Sequence, residues 1–406
     1  ATRQVNASNV PKSKFLSVIE LFAGGGGLAL GLHNAGFEPV AVVERDTDSC
    51  ATLRENWQVG MGVNIRVFDT DVRQVDFRQW RGQVELVSGG PPCQPFSIGG
   101  KAQGYRDERD MFPHAVNVVR TVQPEAFIFE NVRGLLRKSF AKYFGYILLQ
   151  LQYPEISKQE NENWPEHLAR LEERHTAGTD EGLRYRVVFQ KVDAADFGVP
   201  QHRERVIIVG FRWDIQEPWS FPRATHSGGA LEAAKWLTGI YWDEHHVPRA
   251  HRPQPPPQVL RRLTRENTLP VFARWRTVRD ALTGLPDPQS PEASRVINHR
   301  FQPGARRYAG HTGSELDNPA KTLKAGDHGV PGGENMLVRP DGTVRYFTVR
   351  ESARIQTFPD WYHFPSSWTE SMRQIGNAVP VTLARIIGLS VATTLAAHHR
   401  HLRRNQ

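Results

Sequence analysis

Phe15-Leu16-Ser17-Val18-Ile19-Glu20-Leu21-Phe22-Ala23-Gly24-Gly25-Gly26-Gly27 decides how this 406-residue chain is read. The first half is a strand-like apolar run, and the second is a turn that no side chain obstructs. An apolar helical segment follows over 28–35, closed by Gly36 in the place a helix C-terminus favours. Strand, glycine turn and helix are the opening unit of an open α/β sheet, and the pattern recurs. Further strands are expected at 40–43, ending at Glu44, and at 65–68, leading into Asp69-Thr70-Asp71. Others are expected at 84–87, at 126–129 ending at Glu130, at 185–192 and at 205–211. Near-continuous apolar strands alternating with helices predict an α/β fold with a doubly wound, mostly parallel sheet.

Two loops of this sheet carry chemistry. Gly89-Gly90-Pro91-Pro92-Cys93-Gln94-Pro95-Phe96-Ser97 lifts a cysteine onto a stiff Gly/Pro loop at a strand end, where open α/β sheets put reactive groups. The two prolines and the polar Gln94 argue against the burial that most free cysteines adopt. The glycines at 24–27 let a ligand approach the backbone closely. Glu44, 20 residues after Gly24, stands where a carboxylate can accept hydrogen bonds from ribose hydroxyls. This spacing points to a nucleoside-type cofactor and leaves a dinucleotide and S-adenosylmethionine both open.

Composition narrows the class. Cys50 and Cys93 are the two cysteines, which excludes a disulfide scaffold and a CxxC metal site and fits a reducing cytoplasm. The first 14 residues are polar and lack the apolar core of a signal peptide. Apolar runs stay short of the roughly 20 residues that span a membrane. A formal charge of +8 suits a polyanionic partner. The length exceeds one ordinary core, so one large and one smaller domain are expected.

Six ordered motifs resemble the cytosine-C5 DNA methyltransferases of bacterial restriction-modification systems. Phe22-Ala23-Gly24-Gly25-Gly26-Gly27 is similar to that family's cofactor turn, and Gly90-Pro91-Pro92-Cys93-Gln94 to its nucleophile loop. Glu130-Asn131-Val132 resembles the catalytic acid motif, and Gln201-His202-Arg203-Glu204-Arg205 the paired-arginine motif. Arg350-Glu351-Ser352-Ala353-Arg354-Ile355-Gln356-Thr357-Phe358-Pro359 and Gln374-Ile375-Gly376-Asn377-Ala378-Val379-Pro380 resemble the two C-terminal motifs. The resemblance covers roughly residues 15 to 215 and 345 to 395.

The resemblance implies a methyl transfer from S-adenosylmethionine to carbon 5 of a cytosine extruded from duplex DNA. Cys93 is then the nucleophile at carbon 6, its thiolate favoured by nearby cations. Glu130 is the acid at ring nitrogen 3 and the exocyclic amine. Arg205 takes the cytosine carbonyl oxygen, and Arg203 helps to position the base and the sugar-phosphate. The period of a strand puts these two arginines on one face. For the cofactor the resemblance implies Phe22 stacked on adenine, the Gly24 and Gly26 backbone at the methionine portion, Glu44 at the ribose and Asp71 at the adenine amine. Pro92, Asn377 and Val379 complete that pocket, and no metal is implied. Arg45 stands where some members have an aromatic, and Glu20 where many have Asp, a change that keeps the charge.

Residues 98–112, polar and with three glycines, fit a mobile loop, which by the resemblance closes over DNA once the base is out. Ser97, just before it, and Ile98, Gly99 and Arg109 within it are expected DNA contacts, and Ile98 or a residue of the second domain is expected to fill the gap that Gly99 cannot. The region 216–345 holds 18 Lys and Arg against 13 Asp and Glu. Its runs Arg261-Arg262-Leu263-Thr264-Arg265, Arg274-Trp275-Arg276 and Arg306-Arg307-Tyr308 interleave cations with aromatics, as a phosphate- and base-contacting surface does. Pro253 to Pro257 reads as an extended connector. By the resemblance, 216–369 is a target-recognition domain with Thr322-Leu323 as its characteristic dipeptide at the DNA, and 1–215 completed by 370–406 is the catalytic domain. Residues 155–175 read as an inserted surface helix, 381–397 as a helix on the sheet, and 398–404 as a frayed basic tail. A monomer in the bacterial cytoplasm is expected, with a companion endonuclease at the same DNA site. One branch of the family methylates tRNA, and a silent DNA-binding relative is the other alternative. The long basic middle region favours DNA, and the presence of Cys93, Glu130 and Arg205 favours catalysis.

Overall fold

Strand β1 (Leu16–Leu21) lies inside a seven-stranded sheet. On one side of it stand β2 (Phe37–Glu44) and β3 (Val67–Asp69), and on the other β4 (Leu86–Gly89), β5 (Ala126–Val132), β7 (Glu204–Arg212) and β6 (Tyr185–Asp193), in the order β3-β2-β1-β4-β5-β7-β6. This is a computed structural model, and it describes residues 15–92, 110–178, 182–266, 271–308, 312–325 and 335–404. The first five strands pair in parallel, and β7 runs antiparallel to both β5 and β6. The expected sheet is therefore observed.

Helices cover both faces, which is why the central strands can be apolar on each. Alternate residues feed two different cores. Ile19, Leu21, Phe127 and Phe129 pack with α3 (Phe112–Val122), α4 (Ala141–Gln152) and α5 (Trp164–Ala177). Val18, Leu86, Ala126 and Ile128 pack on the other face with α1 (Gly27–His33) and α12 (Val381–Arg404). Helix α5 is the inserted helix, held by buried His167, Leu168 and Leu171. Between β2 and β3 lies α2 (Thr47–Arg54).

The chain leaves β1 toward β2 and β3, then returns to β4 on the other side. Open α/β sheets bind ligands at the carboxyl ends of the strands beside such a reversal. Register places those ends together: Leu21 pairs with Val43 on one side and Gly89 on the other.

The chain's last helix completes this unit. A Cβ on Gly31 would stand 2.3 Å from the Ala384 Cβ and 2.7 Å from the Val381 carbonyl oxygen, so α1 and α12 approach at backbone distance. The stretch Trp368–Arg404 is long and apolar enough by composition to cross a membrane, but 61% of its apolar window is buried in the fold. Its end departs from the expected frayed tail. Helix α12 continues to Arg404, with His398 against Glu217 at 3.0 Å and His399 against Glu125 at 2.7 Å.

The middle region is built from short elements: α6 (Gly228–Trp236), α7 (Ile240–Glu244), α8 (Pro257–Glu266), α9 (Val278–Leu282) and two small sheets. Pro257 opens α8, so the extended connector stops one residue short of its expected end. After it, α10 (Val349–Ile355) and α11 (Trp368–Asn377) share a third core with Leu53, Trp57 and Ala29. Residues 349–364 thus pack against the sheet unit.

Candidate active site and cofactor pocket

The glycine turn after β1 is conformationally unusual. Phe22 has φ 55°, a left-handed backbone that costs a non-glycine residue of order 1 kcal/mol or more. Gly24 and Gly26 follow at φ 53° and 82°. A Cβ on Gly26 would stand 2.6 Å from the Tyr362 hydroxyl and 2.8 Å from Leu53 Cδ2. One on Gly24 would meet nothing within 4 Å, so the turn is packed from behind and open in front. The Tyr362 hydroxyl donates to the Gly25 carbonyl at 2.8 Å and fixes the turn.

Glu44, at the end of β2, reaches this turn. Its Oε2 accepts from the Gly24 N–H at 2.8 Å, and its Oε1 accepts from the N–H groups of Arg45 and Asp46. Beside it, the Cys50 thiol donates to the Glu44 carbonyl, and burial pushes it up to about 12. Cys50 is thus a buried, hydrogen-bonded thiol. Asp71 accepts from Arg73 through both oxygens, and that partner holds its carboxyl down at about 2. An adenine amine there would share the carboxylate with Arg73. Asn377, the last residue of α11, is exposed. Val379 is buried, and its carbonyl occupies the space a side chain on Gly27 would need.

The residues present fit a nucleoside-type ligand. The clearest sign is Gln374, 2% exposed and packed against Gly25, whose amide nitrogen and oxygen both lack a partner among the described residues. Glu20 is a correction to the expected conserved charge. It is fully buried, and burial pushes its carboxyl up to about 8, so it holds a proton at neutral pH.

The second cluster lies at the ends of β4 and β5. In the antiparallel β5–β7 ladder, Glu130 faces Ile207 and Val132 faces Arg205. Glu130 and Arg205 are therefore diagonal neighbours on one face, and Arg205 Nε meets Glu130 Oε1 at 2.6 Å. Burial lowers the pKa of Arg205, and the Glu130 charge works against that shift. Gly90 lies beneath this pair: a Cβ there would stand 3.3 Å from Glu130 Oε2.

Asn131 ties the acid to the cysteine loop, because its amide donates to the Pro91 carbonyl at 2.9 Å. The Met111 N–H donates to the Pro92 carbonyl, tying together the segments on either side of 93–109. Cys93, Ser97, Ile98, Gly99 and Arg109 lie outside the described residues.

Arg203 does not share the target of Arg205. Strand β7 begins at Glu204, so the expected two-residue period does not extend to Arg203. Its buried guanidinium donates to the carbonyls of Leu323 at 3.1 Å and Gly376 at 2.8 Å. Thr322 and Leu323 pack against the same segment. The Thr322 hydroxyl donates to the His202 carbonyl at 2.6 Å, and Leu323 is 1% exposed in the core. Hydrogen bonding to 200–203 turns this dipeptide inward, so it is a seam between regions.

The basic runs of the middle region divide in the same way. Arg274 is held by Glu244 and Asp280, and Arg262 by Glu232. Arg261, Arg265, Arg276, Arg306 and Arg307 are exposed. Among the described residues, no group of three or more His, Cys, Asp or Glu is arranged to hold a metal. Sequence reasoning missed Tyr362, for which no motif signalled a role. Gln201, Gln356 and Gln374 were visible inside quoted motifs, but their partners were not.

Comparison with known proteins agrees with this geometry. The model of the C-5 cytosine-specific DNA methylases matches residues 16–153 and 174–392. Type II methyltransferase M.PspPI of Psychrobacter sp. (strain TA137) is 31% identical over 390 residues, covering 96% of this chain and 82% of that protein. Type II methyltransferase M.AplI of Arthrospira platensis is 31% identical over 381 residues, covering 94% and 86%. Among solved structures, the Entamoeba histolytica methyltransferase EhMeth shares the fold, with a TM-score of 0.56 and 12% identity over 94% of this chain and 99% of its own. The chain belongs to the C-5 cytosine-specific DNA methylase family.

Proposed function

We propose that this DNA cytosine-C5 methyltransferase works through Cys93 as nucleophile, with Glu130 and Arg205 gripping the target ring. The observation that carries the reading is the Glu130–Arg205 pair above Gly90, at the strand ends from which Pro91 and Pro92 lead into Cys93. The Cys93 thiolate forms a bond to carbon 6 of an extruded cytosine, and the ring's double-bond electrons move onto carbon 5. Glu130 in its acid form donates a hydrogen bond to ring nitrogen 3, accepts one from the exocyclic amine, and so draws that charge off the ring. Arg205, preorganised by Glu130, donates to the carbonyl oxygen. After transfer, the carbon 5 proton leaves to water or hydroxide and the thiolate departs.

S-adenosylmethionine, when bound, supplies an electrophilic sulfonium methyl. Phe22, Gly24, Gly26, Glu44, Asp71, Pro92, Asn377 and Val379 would hold it, with the half-buried Phe22 ring at the adenine and the Gly24 backbone at the methionine portion. Ser97, Ile98, Gly99 and Arg109 would contact DNA beside the extruded base. Residues 216–369 would recognise the target sequence, while 1–215 and 370–406 carry the chemistry without a metal. The setting would be a monomer in the bacterial cytoplasm, accompanied by an endonuclease for the same site.

The test is labelled methyl transfer from S-adenosylmethionine to unmethylated duplex DNA and, in parallel, to tRNA. Label entering the duplex, and lost in Cys93→Ala, is expected. Label entering tRNA alone would overturn the DNA reading, and undiminished turnover in Cys93→Ala would overturn the nucleophile.

A further inference from the structure

Helix α11 ends at Asn377, and the last carbonyls of a helix have no partner within it. Here side chains from distant segments take them. Gln356 Nε2 donates to the Ile375 carbonyl at 2.7 Å and to the Ala378 carbonyl at 3.1 Å. Arg203 donates to the Gly376 carbonyl between them. A buried guanidinium with no carboxylate among these bonds is stabilised there by the negative end of the helix dipole.

The same side chains also hold the recognition region. Gln201, 0% exposed, accepts from the Leu323 N–H at 2.9 Å through Oε1 and donates to Gln356 Oε1 at 3.1 Å through Nε2. Both main-chain groups of Leu323 are thus taken by one short segment, the N–H by Gln201 and the carbonyl by Arg203. The approach is backed by backbone pairing: the Ala320 N–H donates to the Pro200 carbonyl and the His202 N–H to the Ala320 carbonyl. A Cβ on Gly376 would stand 2.4 Å from the Ala325 nitrogen, so there is no slack between the two segments. A displacement of one segment alone would leave buried amides without partners, so the two segments are linked.

We propose that Gln201, Gln356 and Arg203 form a positioning relay that couples DNA docking on the middle region to the cofactor pocket at Asn377. It rests on the reading of this chain as a DNA methyltransferase that takes S-adenosylmethionine. The relay runs from Leu323 through Gln201 and Gln356 to the end of α11, and Arg203 closes it from the other side. Two residues further on, Arg205 grips Glu130, so the same segment also sets the catalytic pair.

The test measures binding of S-adenosylhomocysteine by calorimetry, with and without saturating unmethylated linear plasmid DNA. The wild-type protein should bind it at least about fivefold more tightly with DNA, within the usual range of coupling between sites. In Gln201→Leu the ratio should fall below about twofold. A purely structural role would lower the melting temperature and leave the ratio unchanged, and that result overturns the relay. So does a wild-type ratio of one. If Gln201→Leu does not fold, Gln201→Asn, too short to reach both partners, is read by the same ratio. Wild-type protein that transfers no labelled methyl to the plasmid removes the underlying reading, whereas transfer with an unchanged ratio removes the relay alone.

Discussion

Glu20→Gln should abolish a pH dependence of stability that burial writes into β1. Glu20 Oε1 accepts from the Ala29 N–H at 3.1 Å, and Oε2 receives the Ser88 hydroxyl at 3.4 Å, with no water-exposed route for the charge. Burial, the largest cause, raises the carboxyl from 4.5 to about 8, against the lowering by these two hydrogen bonds. The folded chain therefore keeps a proton that the unfolded chain gives up above pH 4.5. Stability from this site is complete below pH 4.5, erodes as pH rises, and is lost above about 8. At about 1.4 kcal/mol per pH unit the ceiling is roughly 5 kcal/mol. Glutamine retains the acceptor for Ala29 and cannot ionise. Urea denaturation at intervals from pH 5 to pH 8.5 should show the variant gaining on the wild type by a few kcal/mol across that window. Every other titrating group is shared by the two proteins, so the difference isolates Glu20. Parallel curves would refute the assignment of a neutral Glu20.

Three further outcomes follow from the geometry. Glu130→Gln keeps the shape beside Gly90 but removes the charge from Arg205 and the acid from the ring; labelled methyl transfer should fall by roughly 10²- to 10⁴-fold while duplex retention in a gel-shift assay persists. Asn131→Ala frees the Pro91 carbonyl and loosens the entry to the cysteine loop; kcat should fall with little change in KM for S-adenosylmethionine, measured by steady-state kinetics. Gly31→Ala forces α1 away from Ala384 and the Val381 and Arg385 backbone; thermal unfolding should reveal a loss of about 1–3 kcal/mol.

Much of the fold was legible because the central strands are buried on both faces and therefore nearly continuously apolar. Val18 and Ile19 point into different cores, yet both must be hydrophobic. The site was legible where chemically specific residues stand at or near strand ends: Glu44 closes β2 and reaches the glycine turn, and Glu130 near the end of β5 meets Arg205. What local pattern could not supply was a partner more than a hundred residues away. Arg203 and Arg205 look equivalent in sequence, but Leu323 and Gly376 claim one and Glu130 the other. Thr322-Leu323 carries no mark of the segment 200–203 that draws it inward. Glu20 was read as a charge because its neighbours in sequence say nothing of the helix packed over it. Arg274 was grouped with surface cations although the nearby Asp280, brought close by the Thr277 cap of α9, and Glu244 neutralise it.

The most direct measurement is mass spectrometry of the protein after incubation with unmethylated duplex in which every cytosine is 5-fluorocytosine, with S-adenosylmethionine supplied. Fluorine cannot leave carbon 5 as the proton does, so the account predicts an irreversible adduct that peptide mapping places on Cys93. An adduct on Cys50, or none while unmodified duplex is methylated normally, would contradict it.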